Sequence, residues 1–297
     1  MSEITRRGFL GTTVAGVALP IMGAAGLQNA QADGVTVQKD VVFGKGGDIE
    51  LKLDVYRSPK SKEKRMATIH FHGGGFARSN KESLSERIRP FAALGYVAIA
   101  AQYRLSGQAG YPALVHDAKA AIRWVRANAK TLDIDPSRIA VVGYSAGGYH
   151  ALFTAGTGDR PEFEGSGGTP GISSKVAVCL AYYPATEVPA SMMPSGASAE
   201  DRKAAAATTY ITEGFPPTML LHGFKDQTIP IDNSLRLLQQ FRSANVPVEF
   251  HGIEGAPHVF DSNVELAVAA AHFADVFMDR HIINPHTYPP FRPGQQG

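Results

Sequence analysis

Gly143-Tyr144-Ser145-Ala146-Gly147-Gly148 sets one serine between glycines two residues away on either side. The apolar run "RIAVV" leads into it and the helix-like run "YHALFTA" leads out. A serine between glycines suits a surface turn. It equally suits a nucleophile held on a bend too sharp for neighbouring side chains, where a strand hands over directly to a helix. The G-x-S-x-G pattern is short enough to arise by chance, so the decision rests on what surrounds it.

Outward from the serine, strand-like and helix-like segments alternate. "VTVQKDVVF" and "IELKLDVY" alternate apolar and polar residues, as half-buried strands do, and read as an antiparallel opening pair. "MATIHFH", "YVAIAAQY", "RIAVVG", "KVAVCLAYY" and "PTMLLHG" are nearly continuous apolar runs, the pattern of strands covered on both faces. "PVEFHGI" follows as a further strand, and helices are expected at "SERIRPFAALG", "ALVHDAKAAIRWVRANAK", 233–244 and 263–280. This alternation predicts the α/β class, with a mostly parallel central sheet and helices on both faces. Two segments exceed the minimal alternation: the Gly-rich stretch 158–174 and the stretch 188–214, whose alanine run could form a short helix. Long insertions of this kind are usually functional or mobile.

Three further features bear on the serine. His72-Gly73-Gly74-Gly75 follows the strand "ATIHF" directly. Attack of a serine on a carbonyl develops an oxyanion, which needs preorganised N–H donors. The N–H groups of Gly74, Gly75 and Ala146 are the candidates, with His72 holding the loop by a hydrogen bond. Asp226 in "PTMLLHGFKD" lies in the loop after a sheet strand, where open α/β sheets present functional groups. Among its rivals, Asp201 lies in an insertion, Asp232 is placed to cap the following helix, and Glu187 remains a third alternative. His258 in "FHGIEGAPHVFD" lies in a loop between the last strand and the last helix, whereas His251 falls within a strand and His272 within a helix. A serine hydroxyl is too weak an acid to attack unaided. His258 would accept its proton and Asp226 would fix the imidazole tautomer. Tyr144, Phe76 and Phe260 are candidates to line a substrate pocket, followed by Met192, Met193 and Tyr210. Arg104 and Asp117 are expected to form a supporting ion pair.

Composition bounds the rest. The 297 residues are 44% hydrophobic and 19% charged, with a formal net charge of +2 from scattered charges, which leaves no footprint for nucleic acid. The one cysteine, Cys179, sits in an apolar run, so no disulfide forms within the chain and no cysteine-based metal site is possible. The ten histidines show no metal-binding spacing, and no metal or cofactor is expected. At the N-terminus, Arg6 and Arg7 precede a weakly apolar Gly/Ala-rich stretch that ends in "AQA" at Ala32. This is the pattern of a twin-arginine export signal rather than a stable membrane span, and Pro20 argues against a spanning helix. The expected organisation is a signal over 1–32, a catalytic domain over 33–282 and an irregular tail over 283–297. The twin-arginine machinery is the expected export partner, and the expected location is periplasmic or secreted.

"HGGGF", "GYSAGG", "HGFKDQTIP" and "APHVF" together resemble α/β-hydrolase esterases with an HGGG oxyanion loop. These are hormone-sensitive-lipase-like carboxylesterases and, more closely, the bifunctional feruloyl and acetyl xylan esterase group. "AAQYRL", "DIDPSRIAVVGYSAGG" and "TTYITEGFPPTMLLHG" extend the resemblance over roughly Val42 to Arg280. It implies an α/β-hydrolase fold with the Ser-Asp-His order, the triad Ser145, Asp226 and His258, and oxyanion donors Gly74, Gly75 and Ala146. The implied reaction is hydrolysis of carboxylic esters through an acyl-serine, with no cofactor. The implied substrates are short-chain or aromatic acyl esters, such as acetyl or feruloyl groups on polysaccharide. A serine peptidase or amidase on the same fold, and an inactive binding protein, are the rival readings. The HGGG loop disfavours the first and the complete set of three residues disfavours the second. Only a short run precedes the first strand, so a small cap or none is expected over the site.

Overall fold

The computed structural model describes residues 34–287. The export signal read over 1–32 lies outside them, as does the tail beyond residue 287. In chain order the strands are β1 (Thr36–Gly46), β2 (Ile49–Arg57), β3 (Ala67–Phe71), β4 (Val97–Ala101), β5 (Ile139–Tyr144), β6 (Val178–Tyr182), β7 (Thr218–Gly223) and β8 (Val248–Ile253). The longer helices are α1 (Ser85–Ala93), α2 (Ala113–Ala127), α3 (Ala146–Gly156), α4 (Ala199–Ala205), α5 (Asp232–Ser243) and α6 (Val264–Met278). The strands form one eight-stranded sheet in the order β1-β2-β4-β3-β5-β6-β7-β8. β1 and β2 pair antiparallel, as do β2 and β4, and from β4 through β8 every pairing is parallel. A sheet of this kind with helices on both sides has the α/β-hydrolase architecture.

The apolar runs explain the layering. Along a strand, successive side chains point to opposite faces. Ile69, Phe71, Ile99, Val141, Cys179 and Leu220 therefore fall in one core, which also takes Leu114 and Ile122 of α2, Phe153 of α3 and Phe241 of α5. Ala98, Ala100, Val142, Leu180, Met219 and Leu221 fall in the other, with Ile88 and Phe91 of α1 and Phe277 of α6. Both faces of β3 to β7 are thus buried, and no polar alternation is needed. Burying each large aliphatic side chain stabilises the fold by about 1.5–3 kcal/mol. A one-residue slip in register would exchange the contents of the two cores, so the pairing of Phe71 with Gly143 and Ala101 is strongly fixed.

The two insertions are packed. Glu164 of the Gly-rich stretch meets Lys119 and Arg123 of α2 at 2.7 and 2.6 Å, both of these cations being buried. The second insertion forms α4, begun by a reciprocal Ser198–Asp201 capping box, and lies on α3, where Tyr149 Oη donates to the Ala205 carbonyl at 2.8 Å. Arg104 and Asp117 form the expected pair, bidentate at 2.7 and 2.8 Å. Asp232 does not cap α5. It is the first helical residue, the preceding position belongs to Ile231, and no side-chain cap bond forms. Among the described residues, no helix is long and apolar enough to cross a membrane.

Candidate active site

Ser145 is the single residue between β5 and α3. It sits at φ 56° and ψ −115°, a conformation that costs a non-glycine residue of order 1–3 kcal/mol. The neighbours hold it there. Its N–H donates to the Tyr182 carbonyl at 3.0 Å, and its carbonyl accepts from Gly148 and Ala185 N–H at 2.8 and 3.0 Å. The flanking glycines are required by proximity. A Cβ at Gly143 would stand 1.9 Å from the Gly147 carbonyl oxygen, and one at Gly147 would stand 1.9 Å from that of Phe71. The bend therefore brings β5, α3 and the end of β3 into direct backbone contact.

β7 and β8 deliver the partners to the same edge of the sheet. His258 follows β8 and places Nε2 3.0 Å from Ser145 Oγ, while Nδ1 lies 2.6 Å from Asp226 Oδ2 in the loop after β7. A carboxylate can only accept, so Nδ1 carries the proton and Nε2 is free to accept from the serine hydroxyl. Asp226 is itself held: its Oδ1 accepts from the N–H groups of Thr228 and Ile229 at 2.8 and 2.9 Å. Burial works against its charge, but the His258 contact and these N–H donors outweigh it and keep the carboxyl below its ordinary range.

A residue that sequence reasoning missed lies behind the acid. His222, fully buried at the end of β7, has Nε2 3.1 Å from Asp226 Oδ2 and 2.8 Å from the Ile229 carbonyl. Its Nδ1 lies 2.7 Å from Ser234 Oγ. The carbonyl admits only a donor, so Nε2–H donates there and Nδ1 accepts from the serine. Burial lowers its pKa, which favours this neutral ring. The only signal was its place in "LLHG", four residues before Asp226.

The glycine loop after β3 runs against the serine: a Cβ on Gly73 would lie 3.2 Å from the Ser145 Cβ. His72 holds it as expected, Nδ1–H donating to the Gly73 carbonyl at 2.7 Å, while Tyr103 Oη donates to the His72 carbonyl at 2.8 Å. Gly74 adopts φ 108°, and a Cβ there would strike the Arg78 carbonyl at 2.2 Å. Gly74 and Gly75 border the cavity that holds Ser145, and Ala146, itself buried, opens α3 with its N–H among those the helix leaves unbonded.

The pocket expectations fare unevenly. Tyr144 borders the cavity, which measures about 600 Å³. Phe76 and Phe260 do not: they are 3% and 2% exposed. Phe76 packs against Tyr149 and His150, and Phe260 against Tyr182 and Tyr183. Met192 and Tyr210 belong to the core with the second insertion, and Met193 does not border this cavity either. The residues that do line it, none of them singled out by any sequence motif, include Arg78, Arg87, Tyr183 and Thr228.

The chain is similar to several known proteins. The BD-FAE family model matches residues 53–241. Esterase LipQ of Mycobacterium tuberculosis is 29% identical over 245 residues, covering 75% of this chain and 57% of that protein. The chain spans about six-tenths of the length of LipQ and of the probable carboxylic ester hydrolase LipM of the same organism. The esterase Est2 of Thermogutta terrifontis superposes with a TM-score of 0.72 at 28% identity, covering 86% of this chain and 95% of that one. A truncated carbohydrate esterase from gut microbiota shares the fold at 22% identity, with a TM-score of 0.67, over 81% of this chain and 98% of that one.

Proposed function

The chain belongs to the BD-FAE family, and from that premise we propose that it hydrolyses carboxylic esters through an acyl-Ser145 intermediate. The observation that carries the reading is the unbroken relay from Ser145 Oγ to His258 at 3.0 Å and on to Asp226 at 2.6 Å, facing a loop of glycine amides. His258 Nε2 takes the hydroxyl proton as Oγ bonds to the ester carbonyl carbon. The carbonyl π electrons move to oxygen, and the N–H groups of Gly74, Gly75 and Ala146 stabilise the resulting oxyanion. Collapse of this intermediate breaks the bond to the alcohol oxygen, which leaves with the proton from His258. Water then repeats the sequence on the acyl-serine and frees the acid. Asp226 stays ionised throughout and stabilises the imidazolium.

Short-chain or aromatic acyl groups are the proposed substrates, with acetyl or feruloyl esters on polysaccharide as the natural form. Solved structures of the Thermogutta esterase hold propionate and butyrate, which supports short acyl chains for this relative. We also read residues 1–32 as a twin-arginine export signal and the enzyme as periplasmic or secreted. Replacing Arg6 and Arg7 by lysine should then retain it in the cytoplasm on cell fractionation.

Purified enzyme is expected to release p-nitrophenol from its acetate ester, and Ser145→Ala to lower turnover by about 10⁶-fold. Paraoxon, which phosphorylates the Thermogutta esterase, should leave one diethyl phosphoryl group on the Ser145 peptide by mass spectrometry. Full turnover in Ser145→Ala, or phosphorylation elsewhere, would overturn the assignment.

A further inference from the structure

The cavity beside Ser145 is bordered by two guanidinium groups, Arg78 and Arg87, and by no carboxylate among the described residues. Both arginines come from one stretch, which continues from the glycine loop through Ser79 and Ser83 into α1. Arg87 is fixed in place. Its guanidinium stands over the Tyr144 ring at 5.7 Å, Nη1 donates to the Ser83 carbonyl at 3.3 Å, and Nε lies 3.2 Å from Asp261 Oδ2. Only 14% of its side chain is exposed. Its Nε nonetheless makes no hydrogen bond among the described residues, so the Asp261 contact is a charge contact alone. The Asp261 carboxylate is shared, since Tyr183 Oη donates to its Oδ1; burial pushes the carboxyl up while Arg87 pulls it down. Arg78 has neither an ion pair nor a side-chain hydrogen bond among the described residues and is exposed to solvent.

Ester hydrolysis requires none of this charge. The oxyanion is served by backbone N–H groups, and the imidazolium that forms on His258 gains nothing from further cations. A neutral substrate would offer the arginines only neutral acceptors in exchange for their water. A carboxylate would replace that water with charge-assisted, in part bidentate, bonds. On the reading of Ser145 as an esterase nucleophile, we infer that the ester cleaved here carries a free carboxylate, seated between Arg78 and Arg87. The substrate class is the monoester of a diacid, or an ester whose alcohol bears a carboxylate, which narrows the proposed polysaccharide esters to those on chains that carry carboxylates.

The test compares kcat/KM for matched pairs at low ionic strength. One pair is p-nitrophenyl acetate and the same ester with a ring carboxylate. The other is ethyl butyrate and monoethyl glutarate, followed by pH-stat. At least one anionic member should exceed its neutral counterpart by about tenfold or more, the effect of one charge-assisted pair. The gain should fall chiefly on KM, since a carboxylate remote from the reacting atoms binds ground and transition states alike. It should shrink as salt is added. In Arg78→Gln the anionic-to-neutral ratio should drop towards one, and Arg87→Lys should keep more of it than Arg87→Gln. Arg78 is exposed, so that variant reads the proposal even where an Arg87 variant folds poorly. Equal rates within both pairs, or an advantage that survives Arg78→Gln and Arg87→Gln together, would overturn the inference. Failure of the wild-type enzyme on both neutral esters as well would instead remove the hydrolase reading beneath it.

Discussion

Asp226 is the most heavily held side chain of the site. Its carboxylate is fully buried and engages His258, two backbone N–H groups and the edge of His222 at once. Asn at this position would offer Nδ1 of His258 an amide in place of the anion and permit the wrong tautomer. Asp226→Asn is therefore expected to lower kcat by about 10⁴-fold. Asp232→Asn, an exposed change on the first turn of α5 with no cap bond to lose, should stay within about 0.5 kcal/mol in stability and leave p-nitrophenyl acetate turnover intact. Reversal of these two results would give the acid's role to the wrong residue. Ser145, Asp226 and His258 were readable because each ends or follows an apolar run, and strand ends are where the chain delivers side chains to a common edge. Phe76 lies beside Gly75 and Phe260 two residues after His258 in the sequence, yet neither lines the pocket. Adjacency to a functional residue in sequence says nothing about direction, and both rings turn inward to the core. Arg78 and Arg87 could not be singled out, because no spacing rule states how the irregular turn that carries Arg78 aims α1, which carries Arg87, at the cavity.

At the scale of elements, the elbow depends on how closely β3, β5 and α3 approach. Ala at Gly147 would place its Cβ 1.9 Å from the Phe71 carbonyl oxygen, which belongs to the backbone and cannot rotate aside. The helix must then withdraw from the strand and carry Ala146 N–H and Ser145 Oγ out of alignment. Misplacement of about 1 Å costs on the order of 10²-fold in rate, so Gly147→Ala should lose at least that in kcat. A normal rate would show that the contact relaxes freely. β3 to β7 were legible from apolar continuity, and β1 and β2 from alternation. The insertion between β6 and β7 was not: its alanines suit a helix, but nothing local showed that the end of α4 and the turn after it lie on α3, away from the serine's cavity. Its placement depends on Tyr149, thirty-nine residues before it begins, and on other long-range packing.

Four imidazoles among the described residues, those of His70, His72, His150 and His222, are buried in the molecule. His70 and His150 are held neutral by burial, their pKa values pushed down to about 3, and that of His72 to about 4. In the unfolded chain each would titrate near 6.5. Below that pH the unfolded state binds more protons, so the stabilisation is complete above about pH 6.5 and is lost as pH falls towards the folded values. Each ring then costs on the order of 1 kcal/mol per pH unit. The thermal midpoint should fall steadily from pH 6.5 to 4.5. Neither ring nitrogen of His150 has a hydrogen-bond partner among the described residues, and four aromatic rings surround it. His150→Phe should therefore keep its midpoint near pH 8 and lose less on acidification. An unchanged acid slope would assign the sensitivity elsewhere. The relay joins Ser145 to a partner 113 positions later, on a loop that exists only once β8 has docked against β7. At roughly 5–20 residues per second, a ribosome finishes the serine's strand on the order of ten seconds before it supplies the base. On the proposed reading, a nascent chain is inert towards esters until its last strand has zipped into place, and the appearance of turnover during refolding should time the completion of the sheet.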